Sequence, residues 1–93
     1  MQNETVHKFE FDDHGIASLD IPADARVVHV AEQDGHARLW IRLKALAPRV
    51  PRRFMMIGTG WSNVQPHWPH VGSIMLQGGA IVFHIFEETD DAK

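Results

Sequence analysis

Hydrophobic and polar residues alternate in short runs along most of the chain, and turn-forming residues separate the runs. Alternation with a period of two is typical of β-strands that bury one face. The pattern predicts seven strands: residues 5–11, 16–21, 26–33, 36–43, 52–57, a strand that begins at residue 70, and residues 80–86. No stretch of useful length shows helical periodicity, so we predict an all-β protein.

The last run, residues 80–86, has the highest density of β-branched and aromatic residues in the chain. These residue types favour strands. We therefore expect this strand at the centre of a sheet, with the rest of the chain packed against it. In the fourth run, alternation places Leu39, Ile41 and Leu43 on one face and Trp40 on the other.

Turn signals predict how the strands connect. Asp34-Gly35 between two alternating runs is the strongest short-range indication of a β-hairpin, formed by a type I′ turn. The Asp-Asp-His-Gly turn at 12–15 predicts a hairpin between the first two strands, and Gly78-Gly79 predicts one between the last two. Residues 45–51 contain two prolines, so we expect a connector there and not a central strand.

Three hairpins in succession predict an antiparallel meander of about seven strands, folded as a small barrel or as a two-sheet sandwich. The length of 93 residues corresponds to a single domain, 1–93, with a core at about 5–87 and a polar tail at 88–93. A chain of this size buries one core but has little material for a deep active-site cleft.

The net charge of −3 conceals a segregation of charge along the chain. Residues 1–25 carry six acidic side chains and one lysine, residues 26–53 carry seven basic and two acidic side chains, and residues 54–93 carry four acidic side chains and one lysine. Neighbouring strands of opposite charge can pair across a sheet, which we favour. The alternative is a basic face offered to an acidic partner.

Several features that would narrow the class of protein are missing from the sequence. There is no cysteine, so disulfides and thiolate metal sites are excluded. There is no run of about 18 apolar residues, and the first residues do not have the pattern of a secretory signal. We therefore expect no membrane partner and a cytoplasmic location.

Seven short motifs occur in order along the chain: VVHV at 27–30, QDG at 33–35, LW at 39–40, RF at 53–54, IGTG at 57–60, HVG at 70–72 and GGAIVFHIFE at 78–87. In this order they resemble a family of small uncharacterised bacteriophage and prophage proteins, across nearly the whole chain. That family usually has cysteine before Leu-Trp, where this chain has Arg38, and histidine after Gly-Thr-Gly, where it has Trp61. The resemblance implies a phage origin and brings no activity with it.

Two histidines lie in the most apolar strands. His29 and His84 each project to the face opposite their apolar neighbours, as Trp40 does on its own strand, so the three side chains could cluster on one sheet face. Neutral imidazoles there could bind a metal or a small ligand, with Glu87 as a nearby carboxylate. The alternative is a pair of hydrogen-bonded core histidines beside a tryptophan.

A second group lies in the loop before the last hairpin. Trp61, His67, Trp68 and His70 make this loop rich in aromatic and imidazole groups, which are suitable anchors for a protein interface. The alternative is that Trp61 and Trp68 cover one open end of the fold.

The only basic patch consists of Arg49, Arg52 and Arg53 with Arg38 and Arg42. Arg52 and Arg53 in it are further interface candidates. A sequence pI of about 6.1 argues against nucleic acid. Gly58-Thr59-Gly60 lacks the lysine and third glycine of a phosphate loop, so a strand-end turn is the better interpretation. No Ser-His-Asp order or carboxylate dyad is present.

These observations favour a non-enzymatic protein-interaction or oligomerisation module with no cofactor, which binds a second copy of itself or a phage or host protein. A homo-oligomer is expected because an open sheet has edges to cover. Such a protein would act in the host cytoplasm or on a virion. The alternative is a small-ligand or metal-binding barrel that uses His29, Trp40 and His84.

Overall fold

The computed structural model describes residues 3–90, which form two antiparallel sheets packed face to face. A three-stranded sheet has the order β1-β4-β3, and a four-stranded sheet has the order β2-β5-β7-β6. The sheets do not close into a barrel, so the predicted all-β class is confirmed in its two-sheet form. The strands are β1 (Glu4–Glu10), β2 (Ile16–Pro22), β3 (Arg26–Gln33), β4 (His36–Lys44), β5 (Arg49–Gly58), β6 (His70–Leu76) and β7 (Ile81–Glu88).

The three-stranded sheet contains the hairpin predicted from Asp34-Gly35. β3 pairs with β4, and both turn residues have positive φ, 54° and 80°, as a type I′ turn requires. The faces of β4 are also as predicted. Leu39, Ile41 and Leu43 are at most 2% exposed and face the other sheet, whereas Trp40 lies on the outer face.

The four-stranded sheet has β7 in its interior, between β5 and β6, which confirms the central position predicted for residues 80–86. The hairpin between β6 and β7 is also confirmed. Its turn is longer than two glycines, because Leu76 pairs with Ile81 and residues 77–80 form the connection. Gln77, Gly78 and Gly79 all have positive φ in this turn.

The predicted hairpin between the first two strands is wrong. β1 pairs with β4 and β2 pairs with β5, so the turn at 11–15 carries the chain from one sheet to the other. Asp12 forms the expected turn, in which its carboxylate accepts the backbone N–H groups of His14 (2.8 Å) and Ile16 (3.0 Å). Such a turn reverses the chain without selecting the strand that pairs next. The strand order is therefore not a meander.

The predicted connector at 45–51 is too long by three residues. β5 begins at Arg49, and Val50 and Pro51 pair with β2. Pairing with β7 starts only at Arg53, so Pro51 lies where β5 has one neighbour, and a missing backbone N–H is tolerated there. Glu88, expected in the polar tail, is the last residue of β7. Residues 91–93 of that tail lie outside the described residues.

One side of the sandwich is closed by a contact between the edge strands β3 and β6. Gly72 on β6 faces Val30 on β3, and a Cβ atom built on Gly72 would lie 2.4 Å from Val30 Cγ2. Only glycine therefore permits this approach.

Opposite charges pair across the sheets, which confirms the expectation drawn from the segregated sequence. Each salt bridge found in the described part of the chain joins the basic segment 26–53 to one of the acidic segments. The pairs are Arg38–Glu10, Arg42–Glu4, Lys44–Asp24, Arg52–Glu87 and Arg53–Glu88.

The Arg52–Glu87 pair is the most buried of these, with side-chain exposures of 15% and 14%. The Arg52 guanidinium donates to both carboxylate oxygens at 2.7 and 2.8 Å. It also donates to the backbone carbonyls of Pro22 (3.1 Å) and Ala25 (2.7 Å) at the turn between β2 and β3. One side chain thus links β5, β7 and the turn by which the chain leaves the four-stranded sheet.

Removing one partner of this pair should cost more stability than removing a partner of an exposed pair. We expect Arg52→Met to lower the free energy of unfolding by about 3 kcal/mol, because the Glu87 carboxylate stays buried without its cation. Arg53→Met, in the more exposed Arg53–Glu88 pair, should cost less than about 1 kcal/mol. Urea denaturation followed by tryptophan fluorescence measures both. Equal losses would contradict the central role of Arg52.

The close approach at Gly72 gives a second prediction. Gly72→Ala should lower the free energy of unfolding by about 1–3 kcal/mol, because the added methyl group overlaps Val30. The double variant Gly72→Ala/Val30→Ala should lose less free energy of unfolding than the two single variants lose together, because the smaller side chain at residue 30 makes room for the added methyl group. A thermal denaturation series tests this coupling, and strictly additive losses would show that the contact is not limiting.

Candidate interaction surface

Trp61 is positioned by a tight turn at the end of β5. Its backbone N–H donates to the Gly58 carbonyl at 3.0 Å, and Gly60 has a φ of 90°, which glycine adopts without strain. Thr59 extends the sheet, because its backbone N–H and its hydroxyl both donate to the Val82 carbonyl, at 3.3 and 3.2 Å. The Gly-Thr-Gly motif is therefore a strand-end turn, as favoured above.

The indole of Trp61 packs against the backbone of Gly58, which has no side chain; we call this backbone the glycine floor. A Cβ atom built on Gly58 would be 2.6 Å from Cε2 of the indole, so the ring rests directly on the glycine backbone. The Phe83 ring meets the indole edge-on at a centroid distance of 5.9 Å. With this support on one side, Trp61 is still 57% exposed.

A hollow lies on each side of Trp61. The first, of about 270 Å³, is lined by Asp12, Asp13, His14, Gly15, Met56, Trp61 and Phe83. The second, of about 230 Å³, is lined by Gly58, Thr59, Trp61 and residues 80–83. Ile81 in the second hollow is 37% exposed. We call this surface, formed by Asp12, Asp13, Trp61, Ile81 and Phe83, the Trp61 end.

The Trp61 end has a negative rim. The turns that line it, residues 11–15, 59–62 and 77–80, contain two aspartates and no lysine or arginine. The pKa of Asp12 lies below its ordinary value, chiefly because the Ile16 backbone N–H donates to the carboxylate. Asp12 is therefore ionised at neutral pH, and the site combines an exposed indole with fixed negative charge.

His67 and Trp68 lie together in a different place. They line an open cleft of about 960 Å³ with Arg53, Glu88 and other residues of the same end. The loop is held there by three hydrogen bonds: Trp68 N–H to the Gln65 carbonyl, Glu87 N–H to the Pro69 carbonyl, and His67 Nε2 to the Thr89 carbonyl. We call it the Trp68 cleft. Arg53 is five residues from Gly58 along β5, so the two surfaces are about 17 Å apart along the strand.

The remaining interface candidates lie elsewhere. Arg52 is occupied by its internal bonds to Glu87 and to three backbone carbonyls. His70 lies on the four-stranded sheet, where its ring meets Phe86 at 5.2 Å. The six residues that the sequence grouped as interface candidates therefore occupy four separate positions.

The interpretation that places His29, Trp40 and His84 on one sheet face is wrong. His29 and Trp40 are opposite each other on β3 and β4, with ring centroids 5.2 Å apart. His84 is on β7, in the other sheet. Alternation predicted which face each side chain takes but not which sheet each strand joins.

His84 instead belongs to a chain of hydrogen bonds that sequence reasoning missed. Its Nε2 lies 2.9 Å from Thr59 Oγ1, its Nδ1 lies 2.9 Å from Ser73 Oγ, and His70 Nε2 lies 3.2 Å from the same Ser73 oxygen. The hydroxyls of Thr59 and Ser73 thus hold the two ring nitrogens of His84 in place. Ser73 sits directly opposite His84 in the β6–β7 pair, a relation that only the register reveals.

Residues 3–90 contain no group of three or more histidine, aspartate or glutamate side chains that could hold a metal ion. They also contain no helix with the length and hydropathy needed to cross a membrane.

Comparison with known proteins adds one finding. A family profile described as a domain of unknown function (DUF7352) matches residues 2–93. Neither a curated protein nor a solved structure matches the chain. The profile match spans nearly every residue, and the chain therefore belongs to this DUF7352 family.

Proposed function

We propose that the protein is a non-enzymatic interaction module and that it binds a protein partner through the Trp61 end. The observation that supports this most directly is the state of Trp61. A tryptophan that is 57% exposed is held on a hydrogen-bonded turn, over a glycine floor and against the edge of Phe83.

The support beneath Trp61 is the feature expected of a binding anchor. Tryptophan is enriched among the few interface residues that carry most of the binding free energy. An anchor that is already held in one orientation loses little conformational entropy when a partner binds. The hollows on both sides of the indole offer space for partner side chains next to it.

The charge at the Trp61 end indicates the chemistry of the partner. Asp12 and Asp13 flank the apolar centre, and the turns that line it carry no lysine or arginine. A protein that presents an apolar side chain beside lysine or arginine would match this surface. The resemblance to small phage and prophage proteins suggests a phage or host protein as that partner, met in the host cytoplasm or on a virion.

His29, Trp40 and His84 do not form one ligand site, because these side chains lie in two different sheets. The Trp68 cleft, with His67 and Arg53, offers a second surface beside residues 51–53 of β5. Trp68 is the more buried of the two tryptophans. Its variant therefore serves as the comparison for Trp61.

Trp61→Ala should abolish partner binding without unfolding the protein. The partner is first captured from a lysate of the source organism with the full chain, then purified and titrated by calorimetry. We expect binding to weaken by at least about 30-fold, the size of a hot-spot loss of about 2 kcal/mol. Because most of the indole is already exposed, the melting temperature should fall by less than about 8 °C, which corresponds to about 1 kcal/mol.

Two further variants separate the anchor from its surroundings. Gly58→Ala keeps the tryptophan but displaces the indole from its floor, so it should weaken binding as well. Leu46→Ala removes an apolar side chain that is 84% exposed in the connector between β4 and β5, away from the Trp61 end, and should leave binding unchanged. If Trp68→Ala alone abolishes binding, the Trp68 cleft is the interface and the proposal for Trp61 is wrong. Unfolding of Trp61→Ala would show that Trp61 is part of the core.

A further inference from the structure

The four edge strands of the sandwich are protected to different degrees. β3 and β6 each contain a register shift, and they cover each other through the contact between Val30 and Gly72. β2 ends in Pro22, and most of its apolar side chains are buried. Bulges, proline and cover are the usual ways in which an edge is kept from pairing with another chain.

β1 has none of these protections. It forms an uninterrupted seven-residue ladder with β4 on one side, it contains no proline, and six of its seven residues are exposed. Val6 at its middle is 53% exposed. The backbone N–H and C=O groups on the other side of β1 are therefore available to another strand.

We infer that β1 pairs antiparallel with β1 of a second copy of this chain, with Val6 on the two-fold axis. The resulting dimer joins two three-stranded sheets into one six-stranded sheet. This inference goes beyond the proposed function: it gives the homo-oligomer expected from the sequence a surface separate from the Trp61 end.

The charges of β1 select this register. In an antiparallel pair that continues the sheet, residues directly opposite each other point to the same face. One residue of β1 must therefore lie opposite the same residue of the second copy, and the two-fold axis passes between these two residues. With the axis at Val6, Glu4 of each copy lies opposite Lys8 of the other. Cross-strand pairs of opposite charge stabilise a sheet, and the symmetry forms this pair twice.

The other registers are less favourable. With the axis at His7, Glu4 lies opposite Glu10 twice, and like charges directly opposite destabilise the pairing. With the axis at Lys8, the two lysines face each other. An axis at Thr5 brings no opposite charges together and shortens the overlap of the strands. An axis at Phe9 also pairs Lys8 with Glu10 twice, but the two copies of β1 then overlap only over residues 8–10.

With the axis at Val6 the overlap runs over residues 4–8 and Glu4 is matched with Lys8, while Glu10 keeps its ion pair with Arg38.

The side chains involved can take these contacts. Glu4 uses one carboxylate oxygen for Arg42, at 2.7 Å, which leaves the second oxygen for a lysine. Lys8 donates to Gln33 at 2.7 Å and has two further N–H groups. A lone lysine on an edge disfavours pairing with unrelated strands. When Lys8 lies opposite Glu4 of a second copy, the carboxylate neutralises its charge. Lys8 therefore favours pairing with another copy of this chain.

Charge reversal tests the inference. Sedimentation equilibrium of the wild-type chain over micromolar to millimolar concentration should show a monomer–dimer equilibrium. Lys8→Glu places glutamates opposite each other and should raise the dimer dissociation constant at least 10-fold. Glu4→Lys/Lys8→Glu exchanges the two charges and should restore dimerisation. Arg26→Glu, an exposed residue on β3 with the same change in net charge, should leave the equilibrium unchanged.

The absence of cysteine allows a direct test of the register, which also serves if Lys8→Glu does not fold. Val6→Cys places two thiols across the axis and should form a covalent dimer on oxidation or with a short thiol crosslinker. His7→Cys should react more slowly, and Val28→Cys, 51% exposed on β3, should remain monomeric. Faster crosslinking of His7→Cys would overturn the register.

A wild-type chain that stays monomeric throughout, or a dimer that Lys8→Glu leaves intact, would overturn the pairing at β1. Neither result affects the Trp61 end, because the Trp61→Ala titration measures a different surface. Conversely, a Trp61→Ala variant that binds the partner normally would not affect the β1 dimer, which the sedimentation data test separately.

Discussion

The ion pair between Arg52 and Glu87, with side-chain exposures of 15% and 14%, links the four-stranded sheet to the turn that leads into the other sheet. Arg52 stands on β5 and Glu87 on β7, so the pair joins two neighbouring strands of one sheet. The same guanidinium binds the carbonyls of Pro22 and Ala25, where the chain turns towards the other sheet. A bidentate arginine can bind a carboxylate and turn carbonyls together, which lysine cannot do with the same geometry.

The ion pair is one instance of a general division of charge. The basic middle segment supplies β4 to one sheet and β5 to the other, and each of these strands lies next to a strand from an acidic segment. β1 brings Glu4 and Glu10 to β4, and β7 brings Glu87 and Glu88 to β5. Exposed pairs of this kind add little free energy each, but they disfavour alternative strand orders that would place like charges together.

The surfaces left over from this arrangement differ in character. One side of the sandwich is closed by β3 and β6, where only a glycine fits between the sheets. The opposite edge, β1, is open along its length. At the Trp61 end, an exposed indole lies next to the negatively charged Asp12 and Asp13. Self-association and binding of a second protein could therefore occur together, since they use different parts of the molecule.

Local signals in the sequence determined much of the fold. Period-two alternation identified all seven strands and the buried face of β4, and Asp34-Gly35 identified its hairpin, because both depend on residues close in the chain. The charge segregation also anticipated the ion pairs. The tertiary structure alone decided that β1 and β2 belong to different sheets, and hence that His29 and Trp40 are separated from His84. It also decided that Trp61 and Trp68 lie apart. A turn motif and a face assignment contain no information about which distant strand becomes the neighbour, because that choice is made by contacts between segments far apart in sequence.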